Sequence, residues 1–204
     1  MRIIDISMEI WPDMPVYPGD PAPCFERHST LAEDGYNVTL ISLGSHTGTH
    51  VDAELHVSEQ GRGVADLPLR SFYGPCEVLD LTGAGRAIRA EHLRGQDIRQ
   101  GSIVLLKTRT SLDDGGTFRE DYAHLTEEAA LYLLDRGLLT LGIDSLSVEG
   151  PDGDGRVHDL LVHHMTVFEG LRLKDVAPGG YIFAGLPLKV RLDGAPARAI
   201  LIEP

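Results

Sequence analysis

Three histidines and an aspartate, His46, His50, Asp52 and His56, fall within eleven residues in the stretch Ser45-His46-Thr47-Gly48-Thr49-His50-Val51-Asp52-Ala53-Glu54-Leu55-His56. Neutral imidazoles with a carboxylate suit a borderline divalent ion such as zinc, and a carboxylate can bridge to a second ion. One histidine alone is more often a hydrogen-bonded surface residue than a ligand. Clustering reverses that balance: the chain holds nine histidines, and three of them share one short window. At roughly 100° per residue a helix would set His50 about 40° from His46 but Asp52 about 240° away, scattering the donors. Extended backbone keeps them together. His46, His50, Asp52 and His56 share even parity, so a strand running through all four would turn them to one face, with Gly48 marking a bulge or a close backbone approach.

The elements that must position these donors read mostly as strands. Short runs of Val, Ile, Leu and Thr separated by Gly, Pro and Asp predict strands near Ile3–Ser7, Asn37–Leu43, Cys76–Leu81, Ile103–Lys107, Thr140–Ile143, Met165–Phe168, Tyr181–Ala184 and Ala199–Ile202. Thr126 as N-cap, followed by Glu127, Glu128 and an apolar stripe that stops at Gly137, predicts a helix; a shorter one is expected around Ala90–Arg94. Strands and helices interspersed in this way predict an α/β chain with a sheet-dominated core. Residues 11–21 hold four prolines and must form an ordered loop or arm, because proline lacks a backbone donor and fixes φ.

Length and composition set outer bounds. The 204 residues, 42% hydrophobic and 24% charged, fit one soluble domain spanning 1–204 with a sizeable core. Eighteen basic against thirty-one acidic residues give a net charge of −13, which repels nucleic-acid phosphates and acidic membrane surfaces. Only Cys24 and Cys76 are present, too few for a disulfide framework, and the N-terminal apolar run is broken by Asp5 and reaches Pro12 early. A cytoplasmic protein without a targeting segment is expected. Gly83-Ala84-Gly85 lacks the third glycine of a dinucleotide fingerprint, and Asp152-Gly153-Asp154-Gly155 lacks the closing glutamate of a calcium loop and reads as a flexible acidic turn.

The segment His46-Thr47-Gly48-Thr49-His50-Val51-Asp52-x-x-x-His56 resembles the H-x-G-T-H-x-D-x-P-x-H signature of the metal-dependent cyclase family, whose known activities include bacterial kynurenine formamidase and isatin hydrolase. Pro15-Val16-Tyr17-Pro18-Gly19-Asp20, Gly142-Ile143-Asp144-x-x-Ser147, His158 with Glu169-Gly170-Leu171, Leu186-Pro187-Leu188 and Ala197-Arg198-Ala199 agree in order, so the resemblance spans nearly the whole chain. It implies a swivelling β/β/α fold and a site for one or two divalent ions per subunit, zinc first and manganese as the alternative. His46, His50 and Asp52 would serve one ion, with Asp52 bridging to a second completed by His158 and Glu169. His56 would be the general acid/base, and Trp11, in the proline-rich arm, would line the pocket for a small-molecule substrate. The resemblance also implies a homodimer or homotetramer. Two departures stand out. Glu54 replaces the motif proline and could approach the ion, pair with a cation or face solvent; the interval from His158 to Glu169 is about one residue short, which leaves His163 or His164 as a substitute ligand.

A bound divalent ion lowers the pKa of its water from about 16 toward about 7, making hydroxide available at neutral pH. With a histidine to move protons, that chemistry suits hydrolysis of a small amide, by resemblance an aryl formamide or a cyclic amide. Ester or lactone hydrolysis, a cyclase or dehydratase reaction, and metal binding without turnover are the alternatives.

Overall fold

The computed structural model describes residues 1–113 and 116–203. In chain order its strands are β1 (Ile3–Asp5), β2 (Cys24–Ser29), β3 (Val38–Ser42), β4 (His50–Asp52), β5 (Tyr73–Leu81), β6 (Ala87–Ile88), β7 (Ile103–Thr108), β8 (His124–Leu125), β9 (Thr140–Ile143), β10 (Thr166–Glu169), β11 (Gly179–Pro187) and β12 (Gly194–Ile202). The helices are α1 (Leu31–Asp34), α2 (Ala90–Leu93), α3 (Glu127–Asp135) and α4 (Arg156–Val162).

Strands β12, β11, β5, β7, β9, β10 and β4 follow one another edge to edge, and β4 pairs back onto β12, so seven strands close into a barrel-like sheet. Strands β5, β7, β9 and β10 run parallel, while β11, β12 and β4 complete the ring by antiparallel pairing; β1 lies alongside the C-terminal part of β12. The sequence reading of a sheet-dominated α/β chain matches this arrangement.

Side-chain alternation sorts the core into two layers. Along β7, Ile103 and Leu105 turn into the ring with Val51, Phe168 and Phe183, whereas Val104 and Leu106 face outward and pack with Ala129, Leu133 and Leu161 of α3 and α4. Burial of each such large apolar side chain stabilises the fold by about 1.5–3 kcal/mol. Gly142 on β9 is small by necessity, since a Cβ there would come within 2.6 Å of Leu105 and 2.7 Å of Leu171. The same alternation sets the polarity of the outer face near β4. Val51 and Phe168, paired in register, point inward, so His50, Asp52, Val167 and Glu169 point outward beneath α4.

Helix α3 starts where its cap predicts, with the Thr126 hydroxyl accepting from the Ala129 backbone N–H. Strands β2, β6 and β8 and helices α1 and α4 were not foreseen; α4 is seven residues long and begins after Gly155 in the left-handed conformation (φ +87°). Residues 11–21 are irregular, turned by hydrogen bonds from Met14 N to the Trp11 carbonyl and from Asp20 N to the Tyr17 carbonyl. Among the described residues no helix is long and apolar enough to cross a membrane.

Candidate metal centre

The donors converge, but not along one strand. Only His50, Val51 and Asp52 are extended; His46 lies in a turn, and Gly48 at φ +67° bends the chain before β4 begins. After Ala53 the backbone enters a 3-10 turn, Glu54–His56, that carries His56 back toward the cluster. The expectation that extended parity runs from His46 to His56 is therefore corrected. Parity holds for His50 and Asp52, and two turns bring in the other two histidines. The bend is fixed by Thr49, whose buried hydroxyl donates to the Gly170 carbonyl at 2.6 Å and accepts the Met8 N–H at 2.8 Å. Gly170 has no room for a side chain, because a Cβ would lie 2.4 Å from the Gly48 carbonyl oxygen.

Two donor sets that share Asp52 result, and a third grouping joins His46, His56 and Asp193 at the rim. In the first, His46 Nδ1 lies 2.8 Å and His50 Nε2 3.4 Å from Asp52 Oδ1. In the second, His158 Nε2 lies 3.2 Å from Glu169 Oε1 and 3.9 Å from Asp52 Oδ2. The ligand atoms of each trio, His46 with His50 and Asp52, and Asp52 with His158 and Glu169, lie within 4.8 Å of one another. Helix α4 presents His158 from above the sheet, and β10 presents Glu169 directly opposite His50. His50, Asp52 and Glu169 are almost wholly buried.

The protonation pattern inside the cluster tests whether these residues fit a cation. A carbonyl oxygen only accepts, so the His50 Nδ1 that lies 2.9 Å from the Gly48 carbonyl carries the proton and donates it. In the neutral ring His50 Nε2 is then a bare lone pair, aimed at Asp52 Oδ1 and, at 3.3 Å, at Glu169 Oε2. Both His50 Nε2 and Asp52 Oδ2 are buried without a hydrogen-bond partner. Lone pairs converging on carboxylate oxygens repel unless positive charge sits between them, and a buried polar atom without a partner costs about 1–3 kcal/mol. The donors therefore fit a divalent cation with nitrogen and oxygen ligands.

Electrostatics express the same demand for positive charge. Burial pulls the His50 imidazole down, but Asp52 and Glu169 outweigh it and push it up to about 10. His158 behaves alike, with Glu149 and Glu169 overcoming burial to push it up to about 11. Burial works against the Asp52 carboxylate, yet His46 and His50 hold it well below the usual carboxylate range. His56 differs: burial moves its imidazole below the ordinary value, and its ring nitrogens make no hydrogen bond among the described residues, while its backbone N–H donates to the Ala53 carbonyl at 2.8 Å. Its ring stacks at 4.2 Å from that of His46 and stands 5.5 Å from that of His158.

Two acidic residues at the centre were not anticipated. Glu149 Oε2 lies 3.2 Å from His158 Nδ1 and also accepts the His158 backbone N–H, while its other oxygen accepts the Gly155 N–H at 2.8 Å. Burial opposes the charge of Glu149, but these partners bring its carboxyl down to about 2. The turn read as a loose acidic loop is thus folded over Glu149, and a side chain at Gly153 would run into that carboxylate. Asp193 Oδ2 lies 2.8 Å from His46 Nε2 and accepts from the Ser45 hydroxyl at 2.8 Å. Neither acid stands in a spacing that marks a ligand.

Other expectations fare differently. Glu54 pairs with Arg62, through Nε at 3.0 Å, a shorter contact from Nη2 and the backbone N–H, and joins neither donor set. His163 is exposed, with Nδ1 2.9 Å from the Asp159 carbonyl oxygen, and neither it nor His164 substitutes for His158. A cavity of about 470 Å³ opens over the cluster, lined by Tyr17, His46, His50, His56, His158 and Glu169 among others. Within this chain the proline-rich arm places Tyr17 in the lining of that cavity, and Trp11 is not among the lining residues. The Tyr17 ring meets Phe118 at 5.6 Å and Tyr122 at 6.5 Å, both edge-on.

Residues 4–150 match the family model described as "Putative cyclase". The chain belongs to this cyclase family. It is 37% identical to the kynurenine formamidase of Salinibacter ruber over 98% of its own length and 97% of that protein's. It is 33% identical to the kynurenine formamidase of Bordetella petrii, with 99% and 98% covered. Among solved structures, a potential metal-dependent hydrolase with cyclase activity superposes with a TM-score of 0.88 at 35% identity, covering 100% of this chain and 99% of the other. Membership in the cyclase family thus rests on the sequence model, on full-length relatives and on shared architecture.

Proposed function

We propose that this cyclase-family chain is a metal-dependent hydrolase that opens the carbonyl–nitrogen bond of a small amide, an aryl formamide such as N-formylkynurenine or a cyclic amide. The observation that carries the reading is the convergence of donors around His50 Nε2 and Asp52 Oδ2, two buried atoms without a hydrogen-bond partner among the described residues. His46, His50 and Asp52 would hold one divalent ion, and Asp52, His158 and Glu169 a second, with zinc first and manganese as the alternative. Four carboxylates, those of Asp52, Glu149, Glu169 and Asp193, surround the imidazoles, and two divalent charges would balance them with the rings neutral. When bound, such ions polarise a carbonyl and make water a nucleophile near neutral pH.

The chain's own groups supply the rest. His56, with both ring nitrogens uncommitted and its ring beside His46 and His158, takes a proton from the attacking water and returns it to the departing nitrogen. Amide cleavage requires that second transfer, because without it the nitrogen would have to depart as an anion, a very poor leaving group. Tyr17, which lines the cavity and is braced edge-on by Phe118 and Tyr122 behind it, offers an aromatic face suited to an aromatic ring, which supports an aryl amide over an aliphatic one. The formamidase relatives point the same way.

The reading extends to a homodimer or homotetramer in a reducing, cytoplasmic setting. The ribbon β2–β3 leaves Phe25, Leu40 and Ile41 exposed, and a two-stranded ribbon is marginal alone in water; both thiols are unpaired. The deciding experiment measures turnover of formamides, cyclic amides, lactones and aryl esters by the zinc- or manganese-loaded protein, with product masses recorded. Gain of one water on an aryl formamide or cyclic amide, abolished by a chelator and restored by metal, is expected. Loss of one water would assign a cyclase or dehydratase, and turnover confined to esters or lactones would move the substrate class.

A further inference from the structure

The His46 ring has a carboxylate at each nitrogen, Asp52 Oδ1 at Nδ1 and Asp193 Oδ2 at Nε2, both at 2.8 Å. A neutral imidazole has one proton and can donate to only one of them. The two acids are not equivalent. Asp52 is buried in the cluster and shared with His50, whereas Asp193 stands at the rim with its side chain 38% exposed and is anchored by Ser45. If the proton sits on Nε2 it is donated to Asp193, and the Nδ1 lone pair joins that of His50 in the first donor set. The opposite tautomer would spend the proton on Asp52 and turn the lone pair away, toward a second carboxylate.

We infer that Asp193 is a positioning residue: it holds the proton of His46 on Nε2, orients the ring and so presents Nδ1 to the first cation. This inference rests on the metal-site reading above. The surrounding chain is built for the task. Asp193 immediately precedes β12, and its backbone carbonyl accepts the Ala53 N–H at 2.9 Å, so its position is fixed by the strand that also frames Asp52. Its neighbour Gly194 leaves the space that the ring occupies, since a Cβ there would lie 2.7 Å from His46 Cε1. Carboxylates that take the outer N–H of a ligating imidazole fix its tautomer and raise its basicity, and their loss costs about 10- to 100-fold in metal affinity.

The test uses the full-length chain stripped of metal and titrated with Zn²⁺ in competition with a chromogenic chelator. Asp193→Ala is expected to weaken zinc binding about 10- to 100-fold, and Asp193→Asn, which keeps an accepting oxygen but not its charge, by less. Nitrogen-15 spectra of the zinc-loaded unsubstituted protein should show His46 protonated on Nε2, a readout that a merely structural role would not produce. Because the backbone bond to Ala53 survives these changes, unfolding temperatures of the metal-free variants should stay within a few degrees of the parent. If Asp193→Ala does not fold, the Asp193→Asn affinity and the tautomer in the parent decide. Unchanged affinity in the variants, or a proton on Nδ1, overturns the role of Asp193 while leaving the metal site standing; failure of the parent itself to bind zinc, with His50→Ala no different, would instead overturn the metal-site reading.

Discussion

Replacing Gly194 by alanine adds one methyl group where the His46 ring lies, and the geometry sets the size of the disturbance. The new carbon would sit 2.7 Å from Cε1 and 3.0 Å from each ring nitrogen, whereas ordinary contacts of this kind begin near 3.4 Å. The ring must retreat by about 0.7 Å, the difference between those distances, and it has little freedom to do so between Asp52, Asp193 and the stacked His56. Metal–ligand distances tolerate about 0.2 Å. Such a displacement takes His46 out of bonding range, and we expect zinc affinity to fall about 10- to 100-fold, in line with other disturbances of ligand orientation. The fold itself should survive. Gly194 has no positive φ, and alanine in a strand is favoured over glycine by about 0.5–1 kcal/mol, which offsets part of the crowding. Chelator competition on the metal-free variant, alongside its urea unfolding curve, measures both quantities. Parental zinc affinity in Gly194→Ala would falsify the placement of the His46 ring against β12 and its assignment as a ligand.

Removal of His56 in His56→Ala should lower kcat at least 100-fold while bound metal, counted by elemental analysis, stays at the parental level; His50→Ala should lose the metal as well. Thr49→Val keeps the shape of the side chain but strips the buried Gly170 carbonyl and Met8 N–H of their partner; at about 1–3 kcal/mol per unsatisfied group, urea unfolding should show a loss of roughly 2–6 kcal/mol, and less than 1 would contradict the assigned bonds. Burial, aided by the charge of Glu77, pushes the Cys76 thiol from 9.0 up to about 12. The unfolded thiol therefore loses its proton above pH 9 while the folded one keeps it, so this group destabilises the fold by about 1.4 kcal/mol per pH unit from pH 9 toward pH 12. Stability curves of the parent and Cys76→Ala should converge or cross over that range at this slope, and a pH-independent difference would show that the thiol is not buried. Exposed Cys24 should be the one fast-reacting thiol of the native chain, with the second appearing on unfolding.

The barrel's strands were legible because their alternation and turn residues are local signals, and Thr126 marks the start of α3 by its capping chemistry alone. The ligand segment was legible in part. Alternation correctly joined His50 and Asp52, but nothing in the spacing announces that a left-handed glycine and a 3-10 turn, rather than continued extension, return His46 and His56. Helix α4 stayed hidden because it is short and starts after a glycine that lacks a capping side chain, and with it went any local reason to single out His158. Glu149 and Asp193 belong to the centre only through distance in space, 9 and 147 residues from the histidines they touch. Resemblance to a family pointed to His158 and Glu169 where residue patterns could not, and the fold brings both within reach of Asp52.

Strand β4 is three residues long, yet it alone joins β10 to β12 and makes the sheet continuous. Two of those three residues are candidate ligands, so on the metal-site reading a bound ion would also brace the closure of the ring. A chain starved of metal would be held at this junction by few backbone bonds, with repelling carboxylates pressing it apart, and opening there would bare the edges of two long-range strands. Protein turnover in a cell could then follow metal supply: copies that never load would be the ones that proteases and aggregation remove first.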